Sequence, residues 1–208
     1  MSHRIHLRSL SFVLAAIGPV LFMTPGCGLT AATPDSGPLT PPFVVSDHYA
    51  PTGYMGDGTT IGAVDMKNDN ACPDRSPDPS GDCYSILYTP ILAWAGVYWQ
   101  YPANNWGDKP GREILPGATT VTVWAKGAKG GEKLELHAGG IADNTKAYSD
   151  KLAVQASFTL TTEWKQYTVK LGSKPYTEVI GGFAWICHAP VGSTDPIVFY
   201  LDGIEWST

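Results

Sequence analysis

Glu135 and His137 stand two apart in the run Lys133-Leu134-Glu135-Leu136-His137-Ala138. On a β-strand that spacing puts a carboxylate and an imidazole on one side of the chain. Such a pair can serve as base and acid in a polysaccharide lyase, with Tyr98 nearby if the register allows. It can equally grip a ligand by hydrogen bonds, with no chemistry at all. Glycoside hydrolysis needs two carboxyl groups facing each other across the bond. Glu132 and Glu135 are three apart, fall on opposite sides of a strand and fail that test. No Ser-His-Asp order, zinc-spaced histidines or phosphate-cradling glycine loop accompanies them. His188, after an apolar run, reads as a strand-end residue.

The second concentration of suitable residues is Trp94 to Trp106, WAGVYWQYPANNW. Sugar rings present flat C–H faces between their hydroxyls, so aromatic planes beside a few amides, carboxylates or arginines are what a glycan site requires. Val97, Trp99 and Tyr101 share one alternating face and Tyr98 and Gln100 the other. Alternation alone does not say which of the two is inside.

These residues need strands to position them. The chain is rich in Gly, Pro, Thr, Val and aromatics, and short alternating or apolar runs end at turn residues. Strands are expected over 43–48, 60–66, 84–89, 96–101, 119–126, 133–138, 154–160, 165–171, 179–188 and 197–206. About ten strands in one domain predicts an all-β fold, a sandwich of two packed sheets. Val121, Val123 and Ala125 should face the core and leave Trp124 outside, just as Leu134, Leu136 and Ala138 leave Glu135 and His137 outside. The glycine-rich turn 126–131 reads as a hairpin between these two strands, which would bring Trp124, Glu135 and His137 onto one face.

The first 26 residues read as a signal peptide: Arg4 and Arg8, an uncharged apolar stretch, then small residues. Thr24-Pro25-Gly26-Cys27 is similar to the lipobox of bacterial lipoproteins, with Thr24 where that family usually has Leu. The similarity implies acylation of Cys27 and attachment to a membrane, ordinary cleavage being the alternative. Gly28 after Cys27 favours the outer membrane on the same basis. Residues 27–42 read as a Pro/Thr-rich tether and 43–208 as the domain. The formal net charge is −5, and the leader contributes two arginines and no acid, so the remainder is more acidic still. An acidic domain without a Lys/Arg cluster excludes nucleic acid and favours a neutral partner. Cys72 and Cys83 flank a loop of Pro, Asp and Ser, and in an oxidising compartment they are expected to form a disulfide. Cys187 is expected to be a buried free thiol.

In order along the chain, Gly96 to Pro102, Asn105 to Arg112, Trp124 to Gly127, Trp164 to Val169, Gly181 to Phe183 and Phe199 to Ile204 resemble the jelly-roll carbohydrate-binding modules found beside bacterial polysaccharide-degrading enzymes. The resemblance implies a β-jelly-roll whose concave sheet face or edge loops hold a polysaccharide or oligosaccharide without cleaving it. The groove residues would be Trp94, Tyr98, Gln100, Asn105, Trp106, Arg112, Trp124, Glu135 and His137. It also implies a structural calcium with Asp202 as the best-matched ligand and Asp47 and Asp57 as companions. The family often has a second acid where this chain has Gly203. The acid-rich loop from Asp65 to Asp82 lacks the regular ladder of a calcium loop. A structural role, the jelly roll packing against another envelope protein, is the further alternative.

Overall fold

The computed structural model describes residues 37–60, 62–68 and 72–208. The expected signal peptide and Cys27 lie outside the described residues. In chain order the strands are β1 (Phe43–Val44), β2 (Ala50–Gly56), β3 (Val64–Asn68), β4 (Tyr84–Tyr88), β5 (Trp94–Gln100), β6 (Arg112–Glu113), β7 (Thr120–Gly127), β8 (Lys133–Gly139), β9 (Ala153–Thr159), β10 (Lys165–Lys170), β11 (Glu178–Val179), β12 (Gly181–His188) and β13 (Ile197–Ser207). One antiparallel sheet has the order β10-β7-β13-β4-β3, with β1 also on β13, and the other has the order β2-β5-β12-β8-β9. β6 and β11 pair separately as a short ribbon. The chain changes sheet between β1 and β2, β2 and β3, β4 and β5, β7 and β8, β9 and β10, and β12 and β13. That alternation between two packed sheets makes the fold an all-β sandwich of the jelly-roll kind.

Alternating apolar positions from both sheets fill the space between them. Val121, Val123 and Ala125 of β7 meet Leu134, Leu136 and Ala138 of β8 in one buried core. β5 contributes Ala95, Val97 and Trp99 to that core, so Trp94, Tyr98 and Gln100 point the other way. Aromatic rings bridge the sheets edge to face, Tyr84 on Trp99 at 4.9 Å and Trp185 on Phe199 at 5.1 Å between centroids. Each such contact adds about 0.5–1.5 kcal/mol beyond the area it buries. Two of the buried indoles also find partners: Trp99 Nε1 donates to Tyr84 Oη at 3.1 Å and Trp206 Nε1 to the Gly182 carbonyl at 2.8 Å. Cys187 is a free, buried thiol, and burial, with Glu132 adding to it, pushes its pKa up to about 12. Such a thiol is inert at neutral pH.

Four expectations change. β2 was not expected, because Pro51 and two glycines break its pattern; it lies at a sheet edge, where proline costs no ladder bond, and its register shifts between Pro51 and Gly53. Val45–Asp47 form a 3₁₀ turn rather than continuing β1. The domain begins ahead of Phe43: Leu39 is buried, its N–H donates to the Glu113 carbonyl, and its own carbonyl accepts from Leu115 N–H. Finally, β7 and β8 are not a hairpin. β7 pairs with β10 and β13, and β8 with β12 and β9, in the opposite sheet. Two strands that each offer one apolar face to a shared core look the same in sequence whether they lie side by side or across from each other.

Candidate functional site

The outer face of the five-stranded sheet carries the chemistry. Cross-strand partners in an antiparallel sheet point to the same side, so the register sets out three rows. One runs Met55, Gly96, Ile186, Glu135, Ser157, and the next Gly53, Tyr98, Ala184, His137, Gln155. The third places Trp94 beside His188, their rings 6.4 Å apart, with Lys133 and Thr159 beyond. Gly96, Ala184 and Ile186 make a low floor between taller neighbours. A Cβ on Gly96 would come within 2.7 Å of both Met55 Cε and the Trp185 carbonyl oxygen, so only glycine keeps the floor flat.

Glu135 and His137 remain together as expected, with Glu135 Oε1 2.7 Å from His137 Nε2. Both are partly open to solvent. Along its own row Glu135 is flanked by Ile186 and Ser157, neither of which supplies a second carboxylate. Tyr98 lies behind His137, their ring centroids 6.5 Å apart, and burial, reinforced by Asp150 and Glu135, pushes its pKa up to about 12. Trp106 stands edge-on to Tyr98 at 6.0 Å and is 37% exposed. A cavity of about 420 Å³ opens at the other end of the face, lined by Lys133, Glu135, Ser157, Thr159 and His188 among others.

Three residues expected in the groove are scaffold instead. Gln100 is 0% exposed, its amide donating to the Asn105 carbonyl at 2.8 Å and accepting from Thr52 Oγ1 at 3.0 Å. Asn105 is 3% exposed; its Nδ2 donates to the carbonyls of Tyr101 and Lys109, and its Oδ1 accepts from the N–H groups of Gly107, Asp108 and Lys109. Arg112 is buried with its guanidinium over the Tyr101 ring at 5.2 Å. The two amides, which could bond sugar hydroxyls, are thus committed to internal partners, which is where buried polar groups must go, and the guanidinium lies on an aromatic ring.

A buried carboxylate completes the support. Asp150 accepts from the N–H groups of Ile141, Ile180 and Gly181 at 3.0, 2.6 and 3.1 Å, tying the loop after β8 to the start of β12. Burial outweighs these bonds and leaves its pKa raised. The same loop presents Tyr148, 40% exposed, whose N–H donates to the Gly107 carbonyl at 3.0 Å, one residue from Trp106. Tyr148, Ser157 and Gln155 were missed in the sequence: the first sits in a polar loop, the others on an edge strand with no aromatic to mark them. His188 caps its strand as expected but also joins this face.

Trp124 stands on the far side of the molecule, on the outer face of the other sheet, opposite Asp202. The loop closed by the Cys72–Cys83 disulfide lies over that face. Arg75 clasps Asp202 with Nε at 2.9 Å and Nη2 at 2.8 Å, Ser76 N–H adds a bond at 2.9 Å, and Lys126 pairs with Asp74. Burial would raise Asp202, but the Arg75 and Ser76 bonds together hold it below the usual carboxylate range. Gly203 next to it has φ 54°, and a side chain there would meet Asp78, Trp124 and Ser80 at 3.2–3.4 Å, which accounts for the missing second acid.

The expected calcium ligands do not fit a calcium. Asp202 is committed to a guanidinium. Asp57 is buried and accepts from Tyr88 Oη at 2.7 Å and from the N–H groups of Ile91 and Leu92 at 3.1 and 2.8 Å, while Asp47 is exposed on the turn after β1. Among the described residues no group of three or more His, Cys, Asp or Glu is placed to hold a metal ion.

No family model and no curated protein matches the chain. Solved structures similar to it include a family 11 carbohydrate-binding module from Clostridium thermocellum in complex with a beta-1,3-1,4-mixed-linked tetrasaccharide, at 12% identity and TM-score 0.44, covering 76% of this chain and 96% of that one. Another is the family 30 module of a cellulosomal cellulase of Clostridium thermocellum, at 11% identity and TM-score 0.48, covering 76% and 92%. A third is a module solved with beta-1,4-galactotriose, at 17% identity and TM-score 0.40, covering 76% and 88%. These likenesses are remote, and the site rests on the residues described above.

Proposed function

We propose that the outer face of the five-stranded sheet binds a polysaccharide without cleaving it. The observation that carries this reading is the placement of the Glu135–His137 pair in a low-floored face between two aromatic groups, Tyr98 with Trp106 and Trp94 with His188. Trp106 and the half-buried Trp94 offer aromatic surface to pyranose faces, with the buried Tyr98 behind them, and Glu135, His137, Gln155 and Ser157 bond hydroxyls, bonds to the charged group being the strongest. An open face whose strands, among the described residues, present Glu135 without a second carboxylate beside it grips a sugar without the paired geometry that hydrolysis needs.

The acylated Cys27 and the leader ahead of it belong to the same proposal: a lipid-held, exported protein that captures polymer for a separate enzyme or fixes cells to a surface. Labelling with a tritiated fatty acid, lost in Cys27→Ala, tests the anchor. The binding claim is tested by incubating the full chain with soluble glucans, xylans, mannans and acidic polysaccharides while following both bound protein and released product. Retention on one class with no new reducing ends or unsaturated products is expected. Product release lost in Glu135→Gln would replace this reading with a lyase or hydrolase.

A further inference from the structure

Beyond the sheet face, at the end of the sandwich where His188 and Lys133 terminate their strands, lies a second cavity of about 580 Å³. It is formed by the β7–β8 turn and the β12–β13 loop, and it shares Lys133 and His188 with the cavity on the face, so the two adjoin. Its volume falls within the range of small-ligand sites, about 300–1,000 Å³. Its lining differs from the face. Ala128, Ala189, Pro190, Pro196, Ile197 and Val198 supply its apolar walls, Lys129, Glu132, Ser193 and Asp195 add polar groups, and among the described residues no Trp, Tyr or Phe lines it.

A bare sugar ring suits such walls poorly. Against the apolar walls it would gain no aromatic plane to stack on. Exposed apolar side chains stand on the neighbouring loops. Leu92 is 81% exposed on the β4–β5 loop, Val191 is fully exposed on the β12–β13 loop, and the two loops are joined where Ala189 N–H donates to the Ala93 carbonyl at 2.8 Å. Lys133 and His188 stand at the boundary between the cavities, where they can donate hydrogen bonds to an ester carbonyl.

We propose that this cavity takes an acyl group, such as an O-acetyl ester, carried on the glycan that occupies the adjoining face. The inference rests on the proposed carbohydrate binding and adds a preference for acylated over ester-free polymer. Each buried methyl or methylene is worth about 0.8 kcal/mol, or about four-fold in affinity.

The test uses the full chain and the same panel of glucans, xylans, mannans and acidic polysaccharides, each polymer ester-free and after light chemical O-acetylation. Ala128→Trp plugs the cavity from an exposed position whose backbone bond to Val198 does not depend on the side chain; thermal melting confirms that the variant folds. The expected result is at least four-fold tighter binding of the acetylated form of the recognised polymer, with the gain abolished in Ala128→Trp and the ester-free affinity unchanged. Ester-free binding with no gain on acetylation, or a gain that survives Ala128→Trp, overturns the inference and leaves the proposed function standing. Binding of no polymer in either form overturns both.

Discussion

The side-chain amide of Gln100 donates to the Asn105 carbonyl at 2.8 Å, and through that bond the end of β5 fixes the loop on which Trp106 stands. Both residues look like sugar contacts in the sequence, and both act one step further back, as the mount for an aromatic that does face solvent.

Replacing Asn105 with Ala removes five side-chain bonds to the backbone of that loop. We expect a loss of about 2–3 kcal/mol of stability, from donors and acceptors left unmet, and weaker glycan binding because Trp106 loses its position. Denaturant unfolding and calorimetry on the same sample measure the two effects.

Glu135→Gln keeps the size of the side chain and removes its charge. A hydrogen bond to a charged group contributes about 1.5–3 kcal/mol, and partial exposure of Glu135 places the effect at the lower end, about ten-fold in affinity. His137→Ala should weaken binding in the same direction, and the double variant should lose less than the sum, since the two side chains bond each other. A double-mutant cycle by calorimetry reads this directly.

Asp202 and Asp57 are both held below the usual carboxylate range, in each case because hydrogen bonds together outweigh burial. A depressed carboxylate contributes stability that is full above its unfolded value, about 3.9, and lost as pH falls through the lower folded value. Removing one partner of a buried pair is costly, and the partial exposure of Arg75 reduces the cost. Asp202→Asn should therefore lower stability by about 2 kcal/mol at pH 7, and the gap to the natural chain should close below about pH 4. Thermal melts of both proteins from pH 2 to 7 check the sign.

The Cys72–Cys83 bridge closes a short loop whose residues have little to bury. In the chain-entropy description, closing a loop of this size restricts the unfolded state by about 3 kcal/mol. The double Cys→Ser variant should lose about 2–3 kcal/mol and free the cover over Trp124, with little effect on glycan affinity because the bridge lies over the opposite sheet. Melting and binding measured together separate the two outcomes.

The strand pattern was largely legible because an apolar face alternates with a polar one in β7, β8, β9 and β10. What alternation does not encode is the sheet to which a strand belongs. Val121 and Leu134 both face inward, and only the pairing of β7 with β13 and of β8 with β12 puts Trp124 and Glu135 on opposite sides of the protein. The Glu135–His137 pair was legible because it needs only the two-residue period of one strand. Gln100, Asn105 and Arg112 were misread for a different reason: their types suit a sugar site and a loop staple equally, and burial decides between them. The disulfide was legible from composition, since a Pro/Asp/Ser loop flanked by cysteines has little else to hold it.

The most direct test of the central claim is calorimetric titration of the full chain with soluble glucans, xylans, mannans and acidic polysaccharides, run beside Trp106→Ala and Trp124→Ala. The account predicts saturable heat with one glycan class, weakened at least ten-fold in Trp106→Ala and unchanged in a folded Trp124→Ala. Heat lost in Trp124→Ala and kept in Trp106→Ala would move the site to the opposite sheet, and no heat with any glycan would contradict carbohydrate binding itself.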